Sequence, residues 1–94
     1  MFVIASFKCK DTQKLATGIR VPRFVNIERA ARKKLDMLDA ATSIADLKAP
    51  PSNNLEKLIG DRAGQYSIRI NLQWRICFEW KGSAPHDVEI VDYH

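Results

Sequence analysis

Downstream of the Pro50-Pro51 pair the chain alternates with a period of two. Tyr66, Ile68 and Ile70 alternate with Ser67, Arg69 and Asn71, and Trp74, Ile76, Phe78 and Trp80 alternate with Arg75, Cys77, Glu79 and Lys81. Successive side chains of a strand point to opposite faces, so each run is a strand with one core face. If both apolar rows lie on one face, the pairing must keep residue parity. A three-residue connection, Asn71-Leu72-Gln73, does this and sets Arg69 directly opposite Arg75. Like charges placed so destabilise a sheet. Either an anion such as nucleic-acid phosphate sits between them, or the guanidinium groups splay into water or pair with Glu79 or Glu89.

The same reading extends outward from this pair. Leu55 to Ile59 is a short strand, Gly60-Asp61-Arg62-Ala63-Gly64 a turn, Lys81-Gly82-Ser83-Ala84-Pro85 the last turn, and a final strand runs to Asp92. Upstream, Phe2 to Phe7 reads as an opening strand, and Asp11 to Ala16 as a brief helix closed by Gly18. Asn26 caps a longer helix with Glu28 in its first turn. Ile27, Ala30, Ala31, Leu35 and Leu38 form its apolar stripe, with Arg29, Arg32, Lys33 and Asp36 opposite. That polar side is either a solvated face with pairs such as Glu28–Arg32 and Arg32–Asp36 or a basic ridge facing RNA. Ser43-Ile44-Ala45-Asp46 has the spacing of a capping box. Helices dominate before the prolines and strands after them.

Ninety-four residues, 46% hydrophobic and 28% charged, fit one domain spanning 1–94. Fifteen basic against eleven acidic residues give a net charge of +4, which suits an anionic partner. Cys9 and Cys77 lack metal or redox spacing, and Cys77, between Ile76 and Phe78, reads as a small buried apolar residue. A reducing cytoplasm is expected. No apolar run approaches the roughly 18 residues of a membrane span, and the opening lacks the basic region and cleavage site of a signal peptide. His86 reads as a surface loop residue.

Three stretches together resemble a family. Leu55-Glu56-Lys57-Leu58-Ile59-Gly60-Asp61-Arg62-Ala63-Gly64-Gln65-Tyr66-Ser67-Ile68-Arg69-Ile70, then Trp74-Arg75-Ile76-Cys77-Phe78, then Val88-Glu89-Ile90-Val91-Asp92-Tyr93-His94 are similar to the HigB toxins of the RelE/ParE superfamily. The ordered set of a G-D-R-x-G turn, a W-R-I strand and a D-Y-H ending is more specific than any one piece. The resemblance implies an α+β, RelE-like fold, with two N-terminal helices packed on a curved, mainly antiparallel sheet of four to five strands. It also implies a type II toxin that enters the ribosomal 30S A site and cuts mRNA there. The implied partners are the ribosome, mRNA and a HigA-like helix-turn-helix antitoxin. Operator DNA is met only through the antitoxin complex, and no membrane is involved.

Metal-independent RNA cleavage needs the ribose 2′-OH to attack the adjacent phosphorus, a base for its proton, an acid for the leaving 5′-oxygen, and cations at the phosphoryl oxygens. No cofactor or metal is expected. His94 suits the general acid, an imidazole being the side chain that titrates near neutrality. Asp92 either orients it or acts as base, and Tyr93 stacks on a displaced base or hydrogen-bonds phosphate. Arg75 meets the transition-state charge with Arg69 in support, and Arg62, Lys57, Arg32 and Lys33 complete the RNA-binding set. Family members carry a histidine and a lysine where this chain has Glu56 and Ile59, so Glu56 is either the base or a surface carboxylate. The rival is a ParE-like inhibitor that binds DNA gyrase without cutting. Such relatives usually lack an acid–imidazole ending, so Asp92-Tyr93-His94 weighs against it. A degenerate toxin surviving as a partner module is a third reading.

Overall fold

The computed structural model describes residues 3–92. Two α-helices, α1 (Lys10–Ala16) and α2 (Glu28–Ala40), precede four strands: β1 (Glu56–Lys57), β2 (Gln65–Arg69), β3 (Trp74–Lys81) and β4 (Ala84–Asp92). The strands form one antiparallel sheet in the order β1-β2-β3-β4. The architecture is therefore α+β with an open four-stranded sheet and two helices.

The alternating rows dictate how the layers meet. Ile68, Ile76, Phe78, Val88 and Ile90 face inward and join Leu15 of α1 and Ala31, Leu35 and Leu38 of α2 in one core. Trp74 adds an edge-on contact to the fully buried Phe24, with ring centroids 5.6 Å apart. Phe24 arrives on a 3-10 helix, Pro22–Ile27, that runs directly into α2. Asn26 therefore does not cap α2. Pro22, whose fixed φ suits a helix start, begins the helical path a turn earlier. The apolar stripe of α2 also differs from expectation, for Ala30 is exposed and Lys34 is buried in its place. Glu28 and Arg32 do pair, at 2.8 Å. Arg32 also donates to the Leu15 carbonyl at 3.4 Å rather than pairing with Asp36. The Asp46 carboxylate accepts from the Thr42 and Ser43 amides and the Thr42 hydroxyl, holding the turn Ile44–Lys48 that buries Leu47.

The opening segment is not a regular strand, although Phe2 lies outside the described residues. It runs parallel to β4 through one bridge, Phe7 to Val88. The Ala5 amide donates to the Pro85 carbonyl, Lys8 to Val88, and Val88 in turn to Ser6. Val3 and Ile4 are pinned at the other side by their amides donating to Asp39 Oδ1, at 2.6 and 2.9 Å. Where the segment turns into α1, Thr12 takes over, its Oγ1 accepting the Ile90 amide at 3.0 Å. The edge of β4 is thus covered along most of its length, which blunts an otherwise open template.

The strand termini follow the register. Arg69 pairs with Arg75, as parity requires, and Asn71 Oδ1 accepts the Gln73 and Trp74 amides inside the connection. The strand expected over Leu55 to Ile59 is only Glu56–Lys57. Between β3 and β4 the turn tightens to Gly82-Ser83, since Lys81 already pairs with Ala84. Pro85, Val88 and Ile90 all point inward, which strict alternation forbids. A β-bulge resolves the conflict: the pairing slips between Cys77/Glu89 and Glu79/His86, with Asp87 in a left-handed conformation at φ 52°. His86 consequently lies within β4 opposite Glu79, not in a loop.

Candidate active site

Directly paired residues of an antiparallel sheet share a face, so the register lays out the face turned away from the helices. Glu56, Ser67, Cys77 and Glu89 form one row across β1 to β4. Arg69, Arg75 and Val91 form the next, and Gln65, Glu79 and His86 a third. Alternation leads one to expect a wet surface here. Instead Ser67 and Arg75 are buried, together with Cys77, whose burial its apolar neighbours already implied.

Chain segments beside the sheet account for that burial. Asn54, in a left-handed conformation at φ 46°, brings its carbonyl to Arg75 Nη2 at 2.6 Å. Arg75 Nε donates to Ser67 Oγ at 2.8 Å, and Nη1 lies 3.5 Å from the Glu56 carboxylate. Only 6% of the Arg75 side chain is exposed against 46% for Glu56, so the pair presents its acid outward and its cation as the floor. Further along, Arg62 Nη1, at the end of the short helix Gly60–Arg62, donates to Gln65 Oε1 and Glu89 Oε1, each at 3.0 Å. Lys8 approaches the same Glu89 oxygen at 3.8 Å. Burial pushes the Cys77 thiol pKa up, while the Arg62 guanidinium pulls the other way. A shallow cavity of about 320 Å³ opens beside this edge, lined by Glu56, Lys57, Leu58, Ile59, Asp61 and Arg62.

The two guanidinium groups of the like-charge pair do not rest on Glu79 or Glu89. Arg75 turns into the protein toward Ser67, Asn54 and Glu56, while Glu79 pairs with Lys81 and Glu89 with Arg62 and Lys8. Arg69 stays half-exposed, with no ion pair among the described residues.

Of the residues singled out from sequence, Arg75, Arg69, Arg62 and Glu56 come together on this face. Lys57 does not, since it is exposed and occupies the alternate row with Tyr66 and Phe78. Asp92 also lies on the alternate row, paired with Trp74 at the open end of the sheet, where Gln73 Nε2 donates to its Oδ2 at 3.2 Å. Arg32 and Lys33 sit on α2, across the core from the face. They border a separate surface groove with Val25, Glu28, Arg29 and Asp36. Tyr93 and His94 lie outside the described residues. Sequence reasoning missed Ser67 and Asn54, although Ser67 stands opposite Cys77 and Glu56 in a register that parity already implied.

The description RelE-like toxin of type II toxin-antitoxin system HigB matches residues 11–94. Toxin HigB-1 of Vibrio cholerae is 47% identical over 55 residues, 58% of this chain and 58% of that protein. Endoribonuclease HigB of Proteus vulgaris is 34% identical over 61 residues, 65% of each chain. An uncharacterised Haemophilus influenzae protein is 38% identical over 63 residues, 67% of this chain and 62% of that one. The matched stretches span about three fifths of the length of these relatives. With the family's description covering all but the first ten residues, the chain belongs to the HigB-like, RelE-like toxins of type II toxin–antitoxin systems.

Proposed function

We propose that this protein is an endoribonuclease toxin that cleaves mRNA in the ribosomal A site, and that a HigA-like antitoxin neutralises it. The observation that carries the reading is the Arg75–Glu56 pair, a buried cation held by Ser67 and Asn54 with an exposed carboxylate 3.5 Å away. Family membership and the name of the Proteus relative support it. Pre-oriented donors stabilise charge without having to reorganise as the reaction proceeds, and a sheet face is a rigid place to hold them.

In this scheme the ribose 2′-oxygen attacks phosphorus, the bond to the 5′-oxygen breaks, and a 2′,3′-cyclic phosphate remains. Glu56 takes the 2′-OH proton, being the carboxylate that shares the face with Arg75, while Asp92 on the alternate row orients His94. His94 protonates the leaving oxygen, and Tyr93 stacks on a base. Arg75 meets the phosphoryl oxygens through its Nη1 side, and Arg69 and Arg62 flank the strand of RNA. Lys57, Arg32 and Lys33, lying off this face, contact the ribosome. No metal or cofactor takes part.

Primer extension on a defined mRNA with translating ribosomes tests this. Cuts at a fixed offset in the A-site codon are expected from the wild type. Cuts should fall by about 10²–10⁴-fold in His94→Gln and in Glu56→Gln, the usual worth of a proton-transfer group. Growth inhibition without any cuts would replace the reading with a gyrase-binding one.

A further inference from the structure

Lys34 is the one titratable side chain buried in the apolar stripe of α2, between Ala31 and Leu38. An apolar residue there would avoid desolvating a charge, and burial indeed lowers the Lys34 pKa, helped by neighbouring Lys33. No carboxylate pairs with it among the described residues. Its Nζ donates instead to Oδ1 of Asn53, which is fully buried. The Asn53 amide in turn donates to the Leu47 and Ala49 carbonyls, at 3.1 and 3.2 Å. Those contacts fasten the loop between α2 and the sheet at one point, and the next residue is Asn54, whose carbonyl holds Arg75 Nη2.

We infer that Lys34 is a positioning residue for Arg75, acting from behind the sheet through Asn53 and the Asn54 carbonyl. The chain of contacts is continuous: α2 fixes Lys34, Lys34 fixes the Asn53 amide, and the left-handed Asn54 that follows aims its carbonyl at the guanidinium. Arg75 has a second anchor in Ser67, whose hydroxyl accepts from Nε at 2.8 Å and whose carbonyl accepts from Nη2 at 3.4 Å, so losing the Asn54 contact leaves Nε held and weakens the hold on the Nη2 end. Its consequence for cleavage rests on the endoribonuclease reading above, whereas the structural link itself does not.

The test uses Lys34→Met in the full chain, with two readouts. The first is the solvent-exchange rate of the Arg75 Nη2 protons by nitrogen-edited NMR, which is independent of any activity. It should rise at least tenfold while thermal denaturation shows a folded protein. The second is single-turnover cleavage on programmed ribosomes, alone and combined with Arg75→Lys. Lys34→Met should slow the saturated rate about tenfold without changing the half-saturating concentration, since misplacing a catalytic group costs up to about 10²-fold. In the Arg75→Lys background it should add less than twofold, as coupled sites do. Should Lys34→Met alone fail to fold, Lys34→Gln, which keeps a polar end one atom short of the Nζ position, is read in the same way. An unchanged Arg75 exchange rate, or effects that simply multiply, would overturn the inference. A wild type that cuts no RNA would sink the nuclease reading and leave the exchange result to decide the link.

Discussion

Thr12 supplies a sharp test of how the edge of β4 is held. The residue is fully buried, and its Oγ1 accepts the amide of Ile90, itself 2% exposed. The segment before α1 serves Val88 through backbone atoms, but the chain has turned into α1 by the time it passes Ile90, so a side chain must do the work. Thr12→Val keeps the shape and removes the acceptor. A buried donor left unmade costs about 1–3 kcal/mol, and the added methyl returns a fraction of that, for a net loss near 2 kcal/mol. For a domain of this size that corresponds to a fall in Tm of roughly 8–15 °C, or a urea midpoint lower by about 1–2 M.

Thr12→Ser is the control. It keeps the hydroxyl and should lose no more than about 1 kcal/mol for one methyl group. Native-state hydrogen exchange gives the local readout, since 2 kcal/mol corresponds to about thirtyfold faster exchange at the Ile90 amide. If Thr12→Val were within about 0.5 kcal/mol of wild type and Ile90 stayed protected, the surface-like range for single substitutions, the edge would be held by something other than this bond. The assay also bears on the site, because β4 is the strand that delivers Asp92.

Three further outcomes are expected. Phe24→Ala, which empties a fully buried ring position and removes the edge contact to Trp74, should cost about 3–5 kcal/mol in urea denaturation and alter the near-ultraviolet circular dichroism of that tryptophan. Gly82→Ala should cost about 1 kcal/mol in the same assay, because φ is 62° in the two-residue turn although no atom would clash with the new Cβ. Hydrogen bonds from the Thr42 amide and hydroxyl hold the Asp46 carboxyl below its ordinary range, with those of Ser43 adding to the effect. A depressed carboxylate pKa stabilises the fold above its unfolded-state value and loses that contribution as pH falls through the folded value. The Tm advantage of wild type over Asp46→Ala should therefore be full at pH 6 and close as the pH drops below about 4.

How much of this was legible in advance differs by element. The register was, because two apolar rows of period two admit only a parity-preserving connection, and Arg69 duly faces Arg75. The β4 bulge was not singled out, although Pro85, Val88 and Ile90 already break strict alternation in the sequence. The opening segment does not form a regular strand: its backbone bonds to β4 are interrupted where β4 bulges, and the Val3 and Ile4 amides turn to Asp39 instead. Asn26 misled for a local reason: the proline four residues earlier starts the helix before a cap can act. Within the candidate site, periodicity placed Arg75 and Ser67 on one face with Cys77, of which only Cys77 was expected to be buried. Burial there comes from Asn54, Glu56 and Arg62 reaching over it, and contacts between distant segments leave no periodic trace.

Two of the cations in this small fold sit where an apolar side chain would serve stability at least as well. Arg75 is enclosed in a sheet face, and Lys34 in a helix stripe. Replacing buried ionic groups by apolar ones of similar volume is often neutral or stabilising, so burial alone is a poor reason for either charge to be there. Their partners sharpen the point. Lys34 meets a neutral amide, and Arg75 meets a hydroxyl, a carbonyl and one carboxylate that is itself half-exposed at 46%. Such acceptors fix the direction in which each cation points. Under the proposed cleavage, a guanidinium held this way would need little rearrangement when a phosphate arrives. In a chain this small, the sheet and the loop beyond α2 hold the cation in place, with the half-exposed Glu56 carboxylate between it and solvent.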